Sequence, residues 1–251
     1  MTKFSGKVVI VTGGSRDIGR ATSVAFGRQG ASVVINYNSN EDAAKETLAE
    51  VEAAGGKGII VKGDMTQKAD VDAVVAASLD AFGPVIHHLV NVVGGLVARK
   101  GLDEMDTEFF ENVMSLNVTS AFLAAQAVVP HMTEGSSIVN YASLAGRDGG
   151  GPGAIAYATS KGAVMTLTRA LAKDLGPKGI RVNSLCPGMI ATSFHDTFTK
   201  DEVRANVANA TPLKRQGRAE ETADATVYLA SDEASFITGT NVDINGGLFF
   251  S

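Results

Sequence analysis

Lys7-Val-Val-Ile-Val-Thr12-Gly13-Gly14-Ser15-Arg16-Asp17-Ile18-Gly19 is the stretch whose reading decides the fold. Lys7 to Thr12 is a short run rich in β-branched residues with glycines on both sides, the pattern of a buried strand. The glycine turn from Gly13 to Gly19 leads into a helical pattern that reaches Gln29. In such a strand–turn–helix unit, backbone N–H groups and the helix N-terminus are placed to hold a pyrophosphate.

Outward from this unit the same alternation repeats. Strands are predicted at 31–37, 57–62, 85–91, 136–142, 181–186 and 241–244. Helices are predicted at 41–54, 67–82, 106–131, 154–175 and 219–230, and a polar, lid-like segment at 192–211. Nearly continuous apolar strands alternating with helices indicate a parallel sheet covered on both faces. Right-handed crossovers then favour an α/β, doubly wound, Rossmann-like sheet of about seven strands. No Pro-, Ser- or charge-rich linker interrupts the chain, so a single domain over 1–251 is expected, with the lid inside it. Ligands of such sheets sit at the carboxyl ends of the strands.

The 251 residues are 45% hydrophobic and 20% charged, which suffices for a large core. The net charge is −5 and no basic block stands out, so nucleic acid is not an expected partner. The N-terminus lacks a charged region, an apolar region and a cleavage site in succession. Its apolar run is too short to span a bilayer. With a single cysteine, Cys186, a reducing, cytoplasmic setting is expected, and no membrane partner. Cys186 reads as a small buried residue at a strand end. No metal site is expected: the four histidines lack ligand-spaced partners, and His87 and His88, adjacent on a strand, would face opposite ways.

Tyr157 and Lys161 are four residues apart, so on a helix they share one face. A phenol ordinarily titrates near ~10, and a neighbouring ammonium favours its ionised form. That pairing makes Tyr157 a candidate proton donor or acceptor near neutral pH.

Taken together, the motifs resemble the classical short-chain dehydrogenase/reductase family from about Lys7 to Gly247. They occur in the family's order: TGGSRDIG (12–19), Asp64 after the third strand, NVVG (91–94), Asn117 in a long helix, Ser143 after the fifth strand, YATSK (157–161) and PGMIAT (187–192). Two positions depart from the pattern. Asp17 stands where the glycine turn usually has a second glycine, and Val92-Val93 replace an Asn-Ala pair. A carboxylate beside a pyrophosphate would repel it; Asp17 would instead cap the helix or pair with Arg16 or Arg20.

The resemblance implies a catalytic set of Asn117, Ser143, Tyr157 and Lys161. Ser143 would hydrogen-bond the substrate carbonyl and Tyr157 would donate the proton. Lys161 would hold the nicotinamide ribose and lower the Tyr157 pKa, and Asn117 would anchor a relaying water. Gly13, Ser15, Ile18, Gly19, Asn91 and Gly94 would cradle the dinucleotide. Asp64 and Met65 would meet the adenine, although Asp64 reads equally as a cap for the helix near Gln67. Pro187, Gly188, Ile190 and Thr192 would line the nicotinamide. Asn36-Tyr37-Asn38-Ser39, which by the same resemblance would meet the cofactor, closes the second strand without an acid, which would otherwise bind a ribose 2′-hydroxyl. Arg16 would contact a 2′-phosphate, so NADP(H) is favoured over NAD(H).

The implied function is an NADP(H)-dependent carbonyl reductase, reversible as an alcohol dehydrogenase. VINYNSN and ITGTNVDINGG resemble 3-oxoacyl-acyl-carrier-protein reductases, while NVVGGLVARK resembles reductases of keto sugars and keto uronates. A small acidic or sugar-like carbonyl such as a 2-keto (deoxy) uronate is therefore expected, with Arg99 and His195 as substrate candidates beside Ser143 and Tyr157. The alternatives are the 3-oxoacyl reductase and a non-catalytic NADP(H)-binding scaffold or sensor. Family members are commonly homotetramers, and Ala121, Ala124, Ala125 and the tail Leu248-Phe249-Phe250 suit such contacts.

Overall fold

Strand-forming runs and amphipathic helices alternate along the chain, and the computed structural model describes residues 2–251. The strands are β1 (Val8–Thr12), β2 (Ser32–Tyr37), β3 (Lys57–Lys62), β4 (His88–Asn91), β5 (Ser137–Tyr141), β6 (Arg181–Pro187) and β7 (Asn241–Ile244). They form one sheet in the order β3-β2-β1-β4-β5-β6-β7, and every pairing is parallel. The helices are α1 (Asp17–Arg28), α2 (Glu41–Ala53), α3 (Lys68–Phe82), α4 (Thr107–Met114), α5 (Ser120–Val128), α6 (Ala145–Asp148), α7 (Ile155–Leu175), α8 (Ser193–Phe198), α9 (Asp201–Ala210) and α10 (Ala219–Ala230).

Alternation along each strand sends side chains to two separate cores. Ile10, Val34, Leu89, Ile138 and Val182 face α3, α5 and α7, through residues such as Val74, Ala125 and Leu175. Val9, Val11, Val33, Ile35, Val90, Val139 and Leu185 face α1, α2 and α10, through Phe26, Val51 and Leu229. Both faces are therefore covered, and the only place left for chemistry is an edge of the sheet where strands meet loops.

Three expectations change. The strand expected at 85–91 begins only at His88: the Ile86 N–H goes to the His131 carbonyl at 3.0 Å, outside the sheet, and the His87 Nδ1 accepts the Val8 N–H at 3.0 Å in place of a strand carbonyl. His87 lies outside the strand, and His88 is buried with its Nδ1 on the Ser137 hydroxyl. The helix expected at 106–131 is not uniform: a π turn at Ser115–Thr119 separates α4 from α5, and a short 3-10 turn ends it. The polar, lid-like segment 192–211 contains two helices, α8 and α9, that were not among those predicted.

The stretch Thr107–His131 is apolar and long enough to cross a membrane. Its small residues nevertheless serve this chain's own core. Ala121, Ala124 and Ala125 are buried, so they are not free for contacts between copies; Phe122 faces outward instead. Their spacing with buried Val128 is one face of a helix.

Candidate active site

The carboxyl ends of β1, β4, β5 and β6 converge on the predicted catalytic side chains. Ser143 follows β5, and Tyr157 and Lys161 lie one turn apart near the start of α7. Between them, α6 and the left-handed glycines Gly149, Gly150 and Gly153 fold the connecting chain back. The return is tight: a Cβ at Gly146 would stand 2.8 Å from the Gly162 nitrogen. Only a residue without a side chain lets α6 lie against α7, and that contact brings the two hydroxyls together.

Lys161 is 4% exposed, yet it carries an ammonium. Its Nζ donates to the Tyr141 carbonyl at 2.7 Å, its one protein acceptor among the described residues. Two of its three N–H donors are left over. Burial pushes its pKa down to about 8. Tyr157 is half-buried, with Lys161 Nζ 5.8 Å from its ring centroid. Burial pushes the phenol up, and a hydrogen-bonding contact from Ser143 pulls it back in part. The expected lowering of the phenol by Lys161 is thus outweighed: the Nζ points at a carbonyl, and desolvation governs both groups. The resting pair is a protonated phenol beside an ammonium. The Ser143 Oγ also accepts the Ala145 N–H at 3.1 Å, which fixes it at the turn into α6.

Asn117 sits inside the π turn and is fully buried. A π turn inserts one extra residue and often marks functional sites. Here it aims the Asn117 amide at Gly95, accepting its N–H at 3.0 Å and donating to its carbonyl at 2.9 Å. Asn117 Nδ2 also donates to the Val113 carbonyl at 2.9 Å. Gly94 is the keystone between this amide and the lysine. A Cβ there would lie 2.6 Å from Asn117 Oδ1 and 2.9 Å from Lys161 Nζ. Asn117 thereby positions the Gly94-Gly95 loop, both of its Nδ2 donors being taken by the Gly95 and Val113 carbonyls.

The glycine turn fits a dinucleotide. Gly13 takes a φ of +63°, and a Cβ at Gly19 would stand 2.0 Å from the Gly13 carbonyl oxygen. The turn and α1 can therefore close on each other only as glycines. Ser15 is buried in the turn and Ile18 packs on the core behind it. Asn36, expected to meet cofactor, is instead buried and braces the turn. Its Oδ1 accepts the Gly13 N–H and its Nδ2 donates to the Gly63 carbonyl, each at 3.0 Å. Tyr37 is buried too, which leaves Asn38 and Ser39 exposed at the end of β2. Arg16 is exposed with no acidic partner among the described residues, so Asp17 does not neutralise it.

Other expected residues are redistributed. Asp64 caps a local turn through the Thr66 N–H at 2.9 Å, not the N-terminus of α3. The Met65 side chain lies in the core, so only its backbone is left to meet a ligand. Asn91 donates to Asn140 at 2.9 Å and is buried below the site. Gly188 packs on Asn245, where a Cβ would clash at 2.8 Å. It follows Pro187, the last residue of β6. Ile190 is buried, bridged to Gly217, and accepts the Thr192 hydroxyl through its carbonyl. His195 bonds Thr199, and burial together with Arg204 and Arg99 pushes it down to about 4.

Two sets of contacts lay outside the sequence reading. The Phe194 ring stands 5.9 Å from Tyr157 and 5.2 Å from Phe198, forming an aromatic wall. The i, i+4 spacing of Phe194 and Phe198 was the available signal. Arg99 donates to the Pro152 carbonyl at 2.8 Å and the Phe198 carbonyl at 3.2 Å, tying its own loop to the Pro152 loop and to the end of α8 at the mouth of the site. Val97, just before it, is held at a φ of +65°, a strained conformation for a β-branched residue.

A family model described as Enoyl-(Acyl carrier protein) reductase matches residues 13–249. Glucose 1-dehydrogenase 2 of Bacillus subtilis is 35% identical, over 98% of this chain and 95% of its own. The chain belongs to the short-chain dehydrogenase/reductase family. Its members bind a nicotinamide dinucleotide and act on small molecules as oxidoreductases. Two solved structures are similar throughout. The NADH-dependent reductase A1-R′, described as responsible for alginate metabolism, is 31% identical with a TM-score of 0.90 and full coverage of both chains. A blue fluorescent protein from a metagenomic library, in complex with NADPH, is also 31% identical, with a TM-score of 0.92 over 99% of this chain and 100% of the other.

Proposed function

We propose that this oxidoreductase is an NADP(H)-dependent reductase of a small acidic or sugar-like carbonyl, such as a 2-keto (deoxy) uronate, working in reverse as an alcohol dehydrogenase. The observation that carries the proposal is the Tyr157 phenol in contact with the Ser143 hydroxyl, its ring 5.8 Å from the Nζ of a buried Lys161 with donors to spare. When bound, the dinucleotide supplies the hydride. Ser143 hydrogen-bonds the carbonyl oxygen and orients it. Tyr157 gives that oxygen a proton as charge develops on it, which is general acid catalysis. The Lys161 ammonium steadies the phenolate left behind and offers its spare N–H groups to ribose hydroxyls. Gly94, lacking a side chain and held in place by Asn117 through Gly95, leaves room for the lysine to reach the site.

Support for the substrate class comes from Arg99 at the mouth and from the sugar-related relatives. Arg16 supports NADPH, being exposed, without an acidic partner among the described residues, and unopposed by an acid at the end of β2. Residues 192–211 are the cover over the substrate, with Phe194 as its inner wall. The same proposal includes a cytoplasmic setting, consistent with the buried free thiol of Cys186. It also includes a homotetramer, in which exposed Phe122 and the tail residue Phe250, 83% exposed, would be covered by other copies.

The test is oxidation of NADPH and NADH in parallel against 2-keto-3-deoxy uronates, aldoses and an acetoacetyl thioester. Turnover is expected with the keto acids, faster with NADPH. In Tyr157→Phe it should fall by about 10³-fold with dinucleotide binding retained. A Tyr157→Phe protein that still turns over ends the mechanism; a preference for NADH or for the thioester ends the cofactor or the substrate assignment.

A further inference from the structure

Asp17 stands at the entry to α1 with a φ of +50°, a left-handed conformation that favours glycine. Nothing in the turn itself explains a carboxylate there. Arg16 does not pair with it, and Arg20 is engaged elsewhere, donating to Glu46 at 2.8 Å, Glu50 at 3.4 Å and Thr47 at 3.0 Å. The carboxylate instead crosses to the other side of the site. One oxygen accepts the Ser193 N–H at 3.0 Å, and the other accepts the Ser193 hydroxyl. Ser193 is the first residue of α8. Thr192, the residue placed to cap that helix, turns its own hydroxyl back to Ile190, so the capping is done by a residue 176 positions away. The residue after Ser193 is Phe194, whose ring lies against Tyr157.

We propose that Asp17 is a positioning residue that clamps the 192–211 segment to the dinucleotide turn, and that an anion in that turn tightens the clamp. The inference rests on the functional reading above, in which the turn holds the pyrophosphate and the segment covers the substrate. A pyrophosphate and the Asp17 carboxylate repel each other, so a conformer that points into the turn is disfavoured once the dinucleotide is in place. The two Ser193 donors supply the alternative. Filling the turn thus favours the docked segment and sets Phe194 against Tyr157. By linkage, docking in turn strengthens dinucleotide binding to the same extent.

Amide hydrogen exchange across residues 193–210 tests this without turnover, using NADPH as the probe. In the unaltered protein, NADPH should slow exchange at 193–198. Asp17→Gly should speed it about tenfold and abolish the NADPH response. Because glycine suits a left-handed φ, the thermal midpoint should hold or rise. Asp17→Asn keeps an acceptor but no charge: it should protect the segment in part and respond little to NADPH. Ser193→Ala, losing only the hydroxyl donor, should fall between it and the unaltered chain. In steady state with a keto acid, Asp17→Gly should raise KM several-fold and change kcat less. Unchanged exchange in Asp17→Gly, or faster exchange accompanied by a lower midpoint, overturns the clamp. An unaltered protein that fails to bind NADPH overturns the functional reading instead, while the exchange of Asp17→Gly without NADPH still judges the contact.

Discussion

Lys161 and Arg181 are two buried cations held by backbone carbonyls at opposite edges of one sheet, and they are satisfied to very different degrees. Arg181, at the amino end of β6 and 9% exposed, donates to the carbonyls of Leu229 at 2.6 Å, Ala230 at 3.0 Å and Ser231 at 3.0 Å. Those are the last carbonyls of α10 and its cap, which lack partners within the helix. A cation there also meets the negative end of the helix dipole. Lys161, near the carboxyl ends, has only the Tyr141 carbonyl. Burial costs both, and both pKa values fall because of it. At the amino edge the cost is offset by a complete set of acceptors; at the carboxyl edge it is left standing. A buried charge with unspent donors is what marks a binding site rather than a structural brace.

The comparison breaks most sharply on Lys161→Met. Turnover is expected to drop by about 10²- to 10⁴-fold, since the ammonium opposite the departing proton is gone. The thermal midpoint at pH 7 should hold or rise, because an under-satisfied buried charge has been replaced by a thioether of similar length. Steady-state rates and a melting curve on the same preparation decide it. A midpoint that falls steeply would mean that Lys161 is as structural as Arg181.

Arg181→Met is the mirror experiment. Three carbonyls lose their donor at once, at a cost of about 2–4 kcal/mol, and the midpoint should fall by about 5–10 °C. Turnover per folded molecule should stay close to that of the unaltered chain, as β6 separates the two edges by roughly 20 Å. A kcat loss in protein that remains folded would show that the amino edge is not inert.

The same contrast explains what could be read from the chain alone. Strand order and both cores follow from runs such as Val8–Thr12, where every residue is buried and β-branching is dense. The candidate set was legible because Ser143, Tyr157 and Lys161 come in a recognisable order and spacing, and the structure brings the three side chains together. What was not legible is set by packing across long sequence distances. The π turn at Ser115–Thr119 is stabilised by the Asn117 amide on Gly95, a tertiary contact with no local signature. Asn36 turns inward to brace Gly13, although its neighbours Asn38 and Ser39 look equally polar. Asp17 finds its partner at Ser193, and polar composition hid the two helices that follow. The orientation of Ala121, Ala124 and Ala125 was recoverable, since they recur with Val128 at helical spacing.

The smallest effect, and the one that sharpens the comparison most, is pH. Lys161 titrates at about 8, against ~10.5 for an unfolded lysine, whereas Tyr157 is pushed above the ordinary phenol value. Reduction needs the phenol protonated and the ammonium charged. Both conditions hold from pH 6 to about 7.5, so kcat/KM with NADPH should be flat there. As pH rises through 8 the ammonium is lost first, and kcat/KM should fall while the phenol still carries its proton. Oxidation of the alcohol needs the phenolate beside the ammonium, a state that gains population as pH approaches 8, so its rate should climb below 8 and level off above it. Stability moves the opposite way to reduction. The unfolded chain binds the Lys161 proton more tightly than the folded one, so the burden on the fold is full below 8 and is relieved between 8 and 10.5. Arg181 contributes no such limb, its guanidinium staying charged throughout. A reduction profile that stays level to pH 10, or a rise in stability between 8 and 10.5 that persists unchanged in Lys161→Met, would place the titrating proton somewhere other than on this lysine.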